Sequence, residues 1–97
     1  MNATHPATVE NLVPAVREVL HKRLGNELLN IPSDGLINEL LENYDSLAAT
    51  ECIYAIEEQF DIEVDFTVDD VRFWFSSIER IAHFVSDRLE DAEVRHA

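Results

Sequence analysis

A chain of 97 residues can bury one small hydrophobic core and is too short for an enzyme with a deep enclosed cleft. Hydrophobic residues make up 46% of it, with only 2 Gly and 3 Pro, which predicts an ordered and mostly helical domain. The formal net charge of −13 would repel nucleic acids and anionic membranes, so basic proteins are the expected partners. The single cysteine, Cys52, cannot form an internal disulfide, which favours a reducing compartment.

The N-terminal segment, residues 1–10, is interpreted as a flexible lead-in. It has no basic region followed by an apolar run, so no signal peptide is predicted. No apolar run approaches the roughly 20 residues that a membrane span requires, and no membrane insertion is expected. We therefore expect a cytoplasmic, monomeric protein with its folded domain at residues 11–91 and a polar C-terminal tail at 92–97.

The first predicted helix has one apolar stripe at helical spacing, formed by Leu12, Val16, Val19, Leu20 and Leu24. Pro14 lacks an N–H and is tolerated best in a first turn, so the helix is predicted to begin near Asn11 as its N-cap. Gly25 is the predicted C-cap. The connection at residues 26–44 is rich in leucine, which predicts a packed loop with one short helical turn near 36–41.

The second predicted helix spans residues 46–60, with a buried stripe of Ala49, Cys52, Ile53, Ile56 and Phe60. A short third helix is predicted at 67–73, where Thr67 and Asp70 form a start similar to a capping box. Ser76 or Ser77 opens the last helix, and Ser76 with Glu79 forms the clearer capping box. Its inward residues are Ile78, Ile81, Ala82, Val85 and Leu89. These elements predict an all-α four-helix bundle with a long first loop and a short third helix.

The acidic residues are concentrated in the middle of the chain. Thirteen Asp and Glu lie between Leu24 and Val71, where there is no Lys or Arg, and the rest of the chain has equal numbers of acids and bases. Within this stretch Asp45-Ser46-Leu47 opens the second helix. Ser46 has two interpretations. Serine is a favoured N-cap, so helix capping explains the tripeptide when it is taken alone. A lone hydroxyl on such an acidic surface indicates, alternatively, a point of covalent attachment.

The segment from Asp45 to Val64 resembles the recognition helix of acyl carrier proteins. The resemblance is carried by Asp45-Ser46-Leu47, by Glu51, by the acidic-aromatic run Glu57-Glu58-Gln59-Phe60-Asp61 and by Val64. It is specific over about residues 44–64, and the helix order is consistent over about 11–89. It implies an acyl-carrier type of bundle in which Ser46 receives 4′-phosphopantetheine from coenzyme A.

The resemblance further implies a non-catalytic carrier of acyl or aminoacyl thioesters, typical of fatty acid biosynthesis and lipid metabolism. Its expected partners are a phosphopantetheinyl transferase and loading and processing enzymes with basic docking patches. The implied docking residues are Leu47, Glu51, Tyr54, Glu57 and Glu58. An acidic helix face would steer and orient basic partners.

The chain departs from the family pattern at several positions, which suggests a specialised carrier. Asn43 stands where glycine is usual, and its tolerance of left-handed backbone keeps the same turn possible. Tyr44 is bulky beside the attachment site. In the run Phe73-Trp74-Phe75 the two phenylalanines are predicted to be core residues, whereas Trp74 is a candidate for the cargo path or a partner contact.

Other interpretations use the same residues. A peptidyl or aminoacyl carrier of a nonribosomal-type pathway would use the same serine, and an unmodified acidic adaptor would share everything except the need for the Ser46 hydroxyl. A calcium-binding loop of the EF-hand type starting at Asp61 is excluded because its sixth and twelfth positions hold Phe66 and Arg72 instead of Gly and Glu. Weak binding of divalent cations to the crowded carboxylates stays an open alternative. The scattered histidines form no metal site or catalytic triad, and Cys52 falls on the predicted core face.

Overall fold

The computed structural model describes the backbone of residues 8–96 and the side chains of residues 8–91. The described backbone contains five α-helices: α1 (Val9–Leu24), α2 (Ile37–Leu40), α3 (Ser46–Phe60), α4 (Val71–Trp74) and α5 (Ile78–His96). A 3-10 helix at Asn26–Asn30 follows α1 directly. No strand occurs in residues 8–96, which confirms the prediction of an all-α fold.

Helix α1 begins at Val9, two residues before the predicted start at Asn11, and it therefore includes part of the expected lead-in. Thr8 is the N-cap, but its side chain makes no capping hydrogen bond, and Pro14 lies well inside the helix. Pro14 is exposed, so the backbone carbonyl that lacks its usual partner there can reach water. Gly25 is the C-cap, as predicted, with a positive φ of 97° and an N–H bonded to the His21 carbonyl.

The core forms where α1 packs against both α3 and α5. The predicted apolar stripes supply most of it. The buried residues of these three helices include Leu12, Val16, Leu20, Cys52, Ile53, Ile56, Ile78, Ile81, Ala82, Phe84 and Val85. Helix α5 continues to His96, through the backbone of the segment predicted as a tail. Residues 1–7 of the predicted lead-in lie outside the described residues.

The connection between α1 and α3 is packed against the core and contains two helical elements instead of the single predicted turn. Leu28 and Ile37 in it are fully buried. One Arg17 guanidinium nitrogen donates to the carbonyls of Leu28 and Ile31, at 2.8 Å each, and so joins this segment to α1. The Ile37 N–H also bonds to the Ser76 carbonyl at 2.9 Å, which places α2 beside the start of α5.

The segment between α3 and α4 corrects the predicted third helix. Helix α4 starts at Val71 instead of residue 67, and its N-cap is Asp70, whose carboxylate accepts from the Phe73 N–H. Thr67 caps no helix: its N–H and its hydroxyl both donate to the Asp65 carboxylate. Aspartate is a strong competitor for nearby backbone N–H groups, so this local turn replaces the first predicted helical turn.

Two predictions near the start of α5 need correction: which serine caps the helix, and which aromatic residues before it are buried. Ser77, which is buried, is the cap, because its hydroxyl accepts the Arg80 N–H at 3.1 Å. Ser76 instead donates to the Phe73 carbonyl. Phe75 is buried as predicted, but Phe73 is 44% exposed and lies under the Arg80 guanidinium, so its assignment to the core was wrong.

Candidate functional site

Ser46 is the first residue of α3, and the cap of that helix is Asp45. The Asp45 carboxylate accepts a hydrogen bond from the Ala48 N–H at 2.8 Å. The Ser46 side chain is exposed, and its hydroxyl makes no hydrogen bond within the described part of the chain. Helix capping is therefore performed by the neighbouring residue, and the Ser46 oxygen is accessible to solvent.

Replacing Asp45 with alanine is expected to lower the free energy of unfolding by about 1 kcal/mol, because the first turn of α3 loses its capping acceptor. Urea unfolding followed by circular dichroism measures the change. Asp34→Ala is the matched control, since Asp34 is exposed and makes no side-chain hydrogen bond in the described residues. Equal stability of the two variants would show that the cap contributes nothing.

Tyr44, two residues before Ser46, holds the turn that precedes α3 through a hydrogen bond to a distant part of the chain. Its hydroxyl donates to the Phe75 carbonyl at 2.7 Å and so links the turn before Ser46 to the C-cap of α4. Burial raises the pKa of this phenol well above its ordinary value. Asn43 does not adopt the left-handed backbone considered for it, since Asp61 is the only described non-glycine residue with a positive φ.

An open groove of about 610 Å³ begins beside Ser46 and lies between α3 and α4. Its apolar lining comes from Leu36, Tyr44, Ala49, Ile53, Phe66, Val71 and Phe75. Among the described residues, one base, Arg72, and one acid, Asp45, line it too. The sequence pattern did not predict that Phe66 and Arg72 line the same groove as Ser46. The only available signal was that Arg72 is the first base after the acidic stretch.

The α3 face below Ser46 is exposed and carries most of the predicted docking residues. Leu47 is 68% exposed and Tyr54 is 57% exposed. Glu51 and Glu58 are exposed on the same face, since these four positions recur at helical spacing. Tyr54 makes an edge contact with the ring of Phe66, with centroids 6.5 Å apart, so an aromatic pair lies among the acids.

Glu57, unlike the other predicted docking residues, makes a side-chain hydrogen bond within the described part of the chain. Its carboxylate accepts the N–H of Val64 at 2.8 Å, and the side chain is half-buried. This bond closes the turn at the C-terminus of α3, where Asp61 has left-handed backbone. Glu57 therefore stabilises the turn, and the exposed Glu58 is the acid that is more accessible to a partner.

In the loop after α3, the carboxylates of Asp65 and Asp69 accept hydrogen bonds from within the chain. The Thr67 hydroxyl and N–H hold the pKa of Asp65 below its usual value. Asp69 accepts from the Asp65 N–H and pairs with Arg88. Among the described side chains, no three His, Cys, Asp or Glu residues gather closely enough to hold a metal ion.

Cys52 lies on the buried side of α3, as the apolar stripe predicted. Burial, with a smaller contribution from the negative charge of Glu51, raises the pKa of its thiol to about 12. A thiolate is the reactive form of cysteine, so this side chain is poorly suited to act as a nucleophile near neutral pH.

No protein-family model matches this sequence, and neither the curated proteins nor the solved structures include a significant match. Within residues 8–96, no helix combines the length and the apolar character that crossing a bilayer requires. Function is therefore inferred from the geometry around Ser46.

Proposed function

We propose that this chain is an acyl carrier protein that carries a 4′-phosphopantetheine arm on Ser46. The observation that carries the proposal is the exposed Ser46 hydroxyl, which has no hydrogen bond in the described residues although its neighbour Asp45 caps the helix. A hydroxyl needed for capping would be engaged by the backbone. A hydroxyl used as an attachment point must remain accessible, as this one does.

The arm fits the residues present at the start of α3. Ser46 lies in the first turn, where free backbone N–H groups and the helix dipole favour the phosphate of a phosphodiester. In the attachment step the Ser46 oxygen forms a bond to the phosphorus that carries pantetheine in coenzyme A. The pyrophosphate bond breaks, adenosine 3′,5′-bisphosphate leaves, and the hydroxyl proton passes to a base of the transferase.

When bound, the arm supplies a thiol that holds acyl or aminoacyl groups as thioesters. The chain itself performs no catalysis in this proposal. Leu47 presents an apolar contact next to the attachment point, and Glu51 and Glu58 attract basic patches of partner enzymes. Such steering weakens as ionic strength rises, because exposed charges are screened.

In this proposed role the helices form a four-helix bundle of the acyl-carrier type. In it α1, α3 and α5 are the three long helices, and α4 is the short one. The long first connection, held to α1 through Arg17, leads the chain to the Ser46 end of α3. The cargo of a carrier is chosen by its loading enzyme, so the fold serves acyl, aminoacyl and peptidyl groups alike.

The test is intact mass after incubation with coenzyme A and a broad-specificity phosphopantetheinyl transferase. We expect the wild type to gain one phosphopantetheine and Ser46→Ala to gain none. The variant should unfold with a free energy within about 0.5 kcal/mol of the wild type, because the lost hydroxyl has no structural bond. A folded wild type that gains no mass would contradict the proposal and favour an acidic adaptor that needs no modification.

A further inference from the structure

The groove beside Ser46 combines apolar walls with a cationic group. Side chains from α3, α4 and the loop before α4 form the walls, among them Ala49, Ile53, Phe66 and Phe75. Phe66 is 50% exposed, so part of this apolar surface faces solvent when the groove is empty. Contiguous apolar surface of this kind is typical of a binding site.

Among the arginines with described side chains, Arg23 and Arg72 make no hydrogen bond or ion pair within the described residues, and of these two only Arg72 lines the groove. Arg17 donates to two backbone carbonyls, Arg80 to a serine hydroxyl, and Arg88 to a carboxylate. Arg72 makes no hydrogen bond, ion pair or ring contact within the described residues, although it directly follows the acidic stretch. Its guanidinium is therefore available to an anion that comes from outside the chain.

We propose that the groove holds an acyl cargo that ends in a carboxylate, with its methylene groups against the apolar walls and its carboxylate on Arg72. This inference rests on the proposed attachment of the arm to Ser46. Charge complementarity decides the occupant. Among the described residues that line the groove, the one acid, Asp45, adjoins Ser46 and accepts the Ala48 N–H, whereas the one base, Arg72, belongs to α4 and has no partner. A guanidinium binds a carboxylate through two parallel hydrogen bonds, whereas an acyl chain ending in a methyl group would leave Arg72 unpaired.

The experiment compares two six-carbon cargoes that differ only at the far end. Hexanoyl and adipoyl groups are loaded on Ser46 from their coenzyme A thioesters by the transferase, and loading is verified by intact mass. At low salt we expect the adipoyl form to melt about 2–4 °C higher than the hexanoyl form. The difference should disappear in Arg72→Gln and persist in Lys22→Gln, which removes an exposed base of α1 that does not line the groove.

A second readout follows the guanidinium directly. In nitrogen-15 labelled protein, we expect the Arg72 Nε–H resonance to shift in the adipoyl form and to stay in place in the hexanoyl form. The melting difference should also shrink at 1 M NaCl, since a partly exposed ion pair is screened.

Two results would overturn this inference while leaving the carrier function intact. The first is a wild type whose adipoyl form melts no higher than its hexanoyl form. The second is an Arg72→Gln variant whose unloaded arm-bearing form is destabilised as much as its adipoyl form, which would assign Arg72 to the phosphate of the arm. If no arm is gained at Ser46, intact mass reveals it before any melting experiment, and both proposals fail.

Discussion

Arg17→Met is expected to lower the free energy of unfolding by about 2–4 kcal/mol. One Arg17 nitrogen donates to the carbonyls of Leu28 and Ile31, and hydrogen bonds from a charged donor each contribute about 1.5–3 kcal/mol. Methionine keeps much of the apolar stem but no donor, so the carbonyl of the fully buried Leu28 would lose this partner. Urea unfolding at constant ionic strength measures the loss.

Arg23→Met is the matched control for that variant. Arg23 lies on the same helix, is exposed, and makes no hydrogen bond in the described residues, so the two variants change the net charge equally. We expect the control to lie within about 0.5 kcal/mol of the wild type. Amide hydrogen exchange should accelerate at residues 26–31 in Arg17→Met alone. Similar stabilities of both variants would mean that the bonds of Arg17 do not hold the long connection.

Raising the pH from 8 to 11 is expected to cost about 2–3 kcal/mol of stability through Cys52 alone. The thiol titrates near pH 8.5 in an unfolded chain, and burial raises its pKa to about 12 in the fold. The contribution is fully present below the unfolded pKa. It is lost as pH rises through this window at about 1.4 kcal/mol per pH unit, because only the unfolded chain releases the proton. The raised pKa of Tyr44 acts in the same direction above pH 10.

Cys52→Ala isolates the contribution of the thiol. The smaller side chain lowers stability at every pH, but the decline between pH 8 and 11 should become shallower than in the wild type. Thiol labelling at pH 8 provides an independent check, because Cys52 is fully buried and should react only as the protein unfolds. Parallel pH profiles of the wild type and the variant would contradict this account.

Much of the fold was predictable because its long helices have regular apolar spacing. The stripes of the first, second and last predicted helices are the buried faces of α1, α3 and α5. Periodicity is a strong signal when it extends over four turns or more. It fails for α4, a single turn, because the Asp65 carboxylate accepts from the N–H and the hydroxyl of Thr67 and the helix starts only after Asp70.

The site could be predicted only in part. Local sequence was sufficient to place Ser46 at the start of a helix and the acids on one exposed face. It could not decide whether Asp45 or Ser46 caps that helix, because both residue types are favoured caps. Local sequence also could not show which of Glu57 and Glu58 is accessible. The bond from the Val64 N–H to Glu57 joins residues seven positions apart and forms only in the folded turn.

By itself, the sequence of this protein determined an all-helical chain with an acidic centre and a serine at a helix start, because these properties depend on composition and local periodicity. The tertiary structure alone decided which aromatic residues are buried. Phe73 and Phe75 are two residues apart, yet one is stacked under Arg80 and the other is in the core. The groove likewise depends on tertiary structure, because its lining comes from distant parts of the chain, two of which are joined by the bond from the Tyr44 hydroxyl to the Phe75 carbonyl.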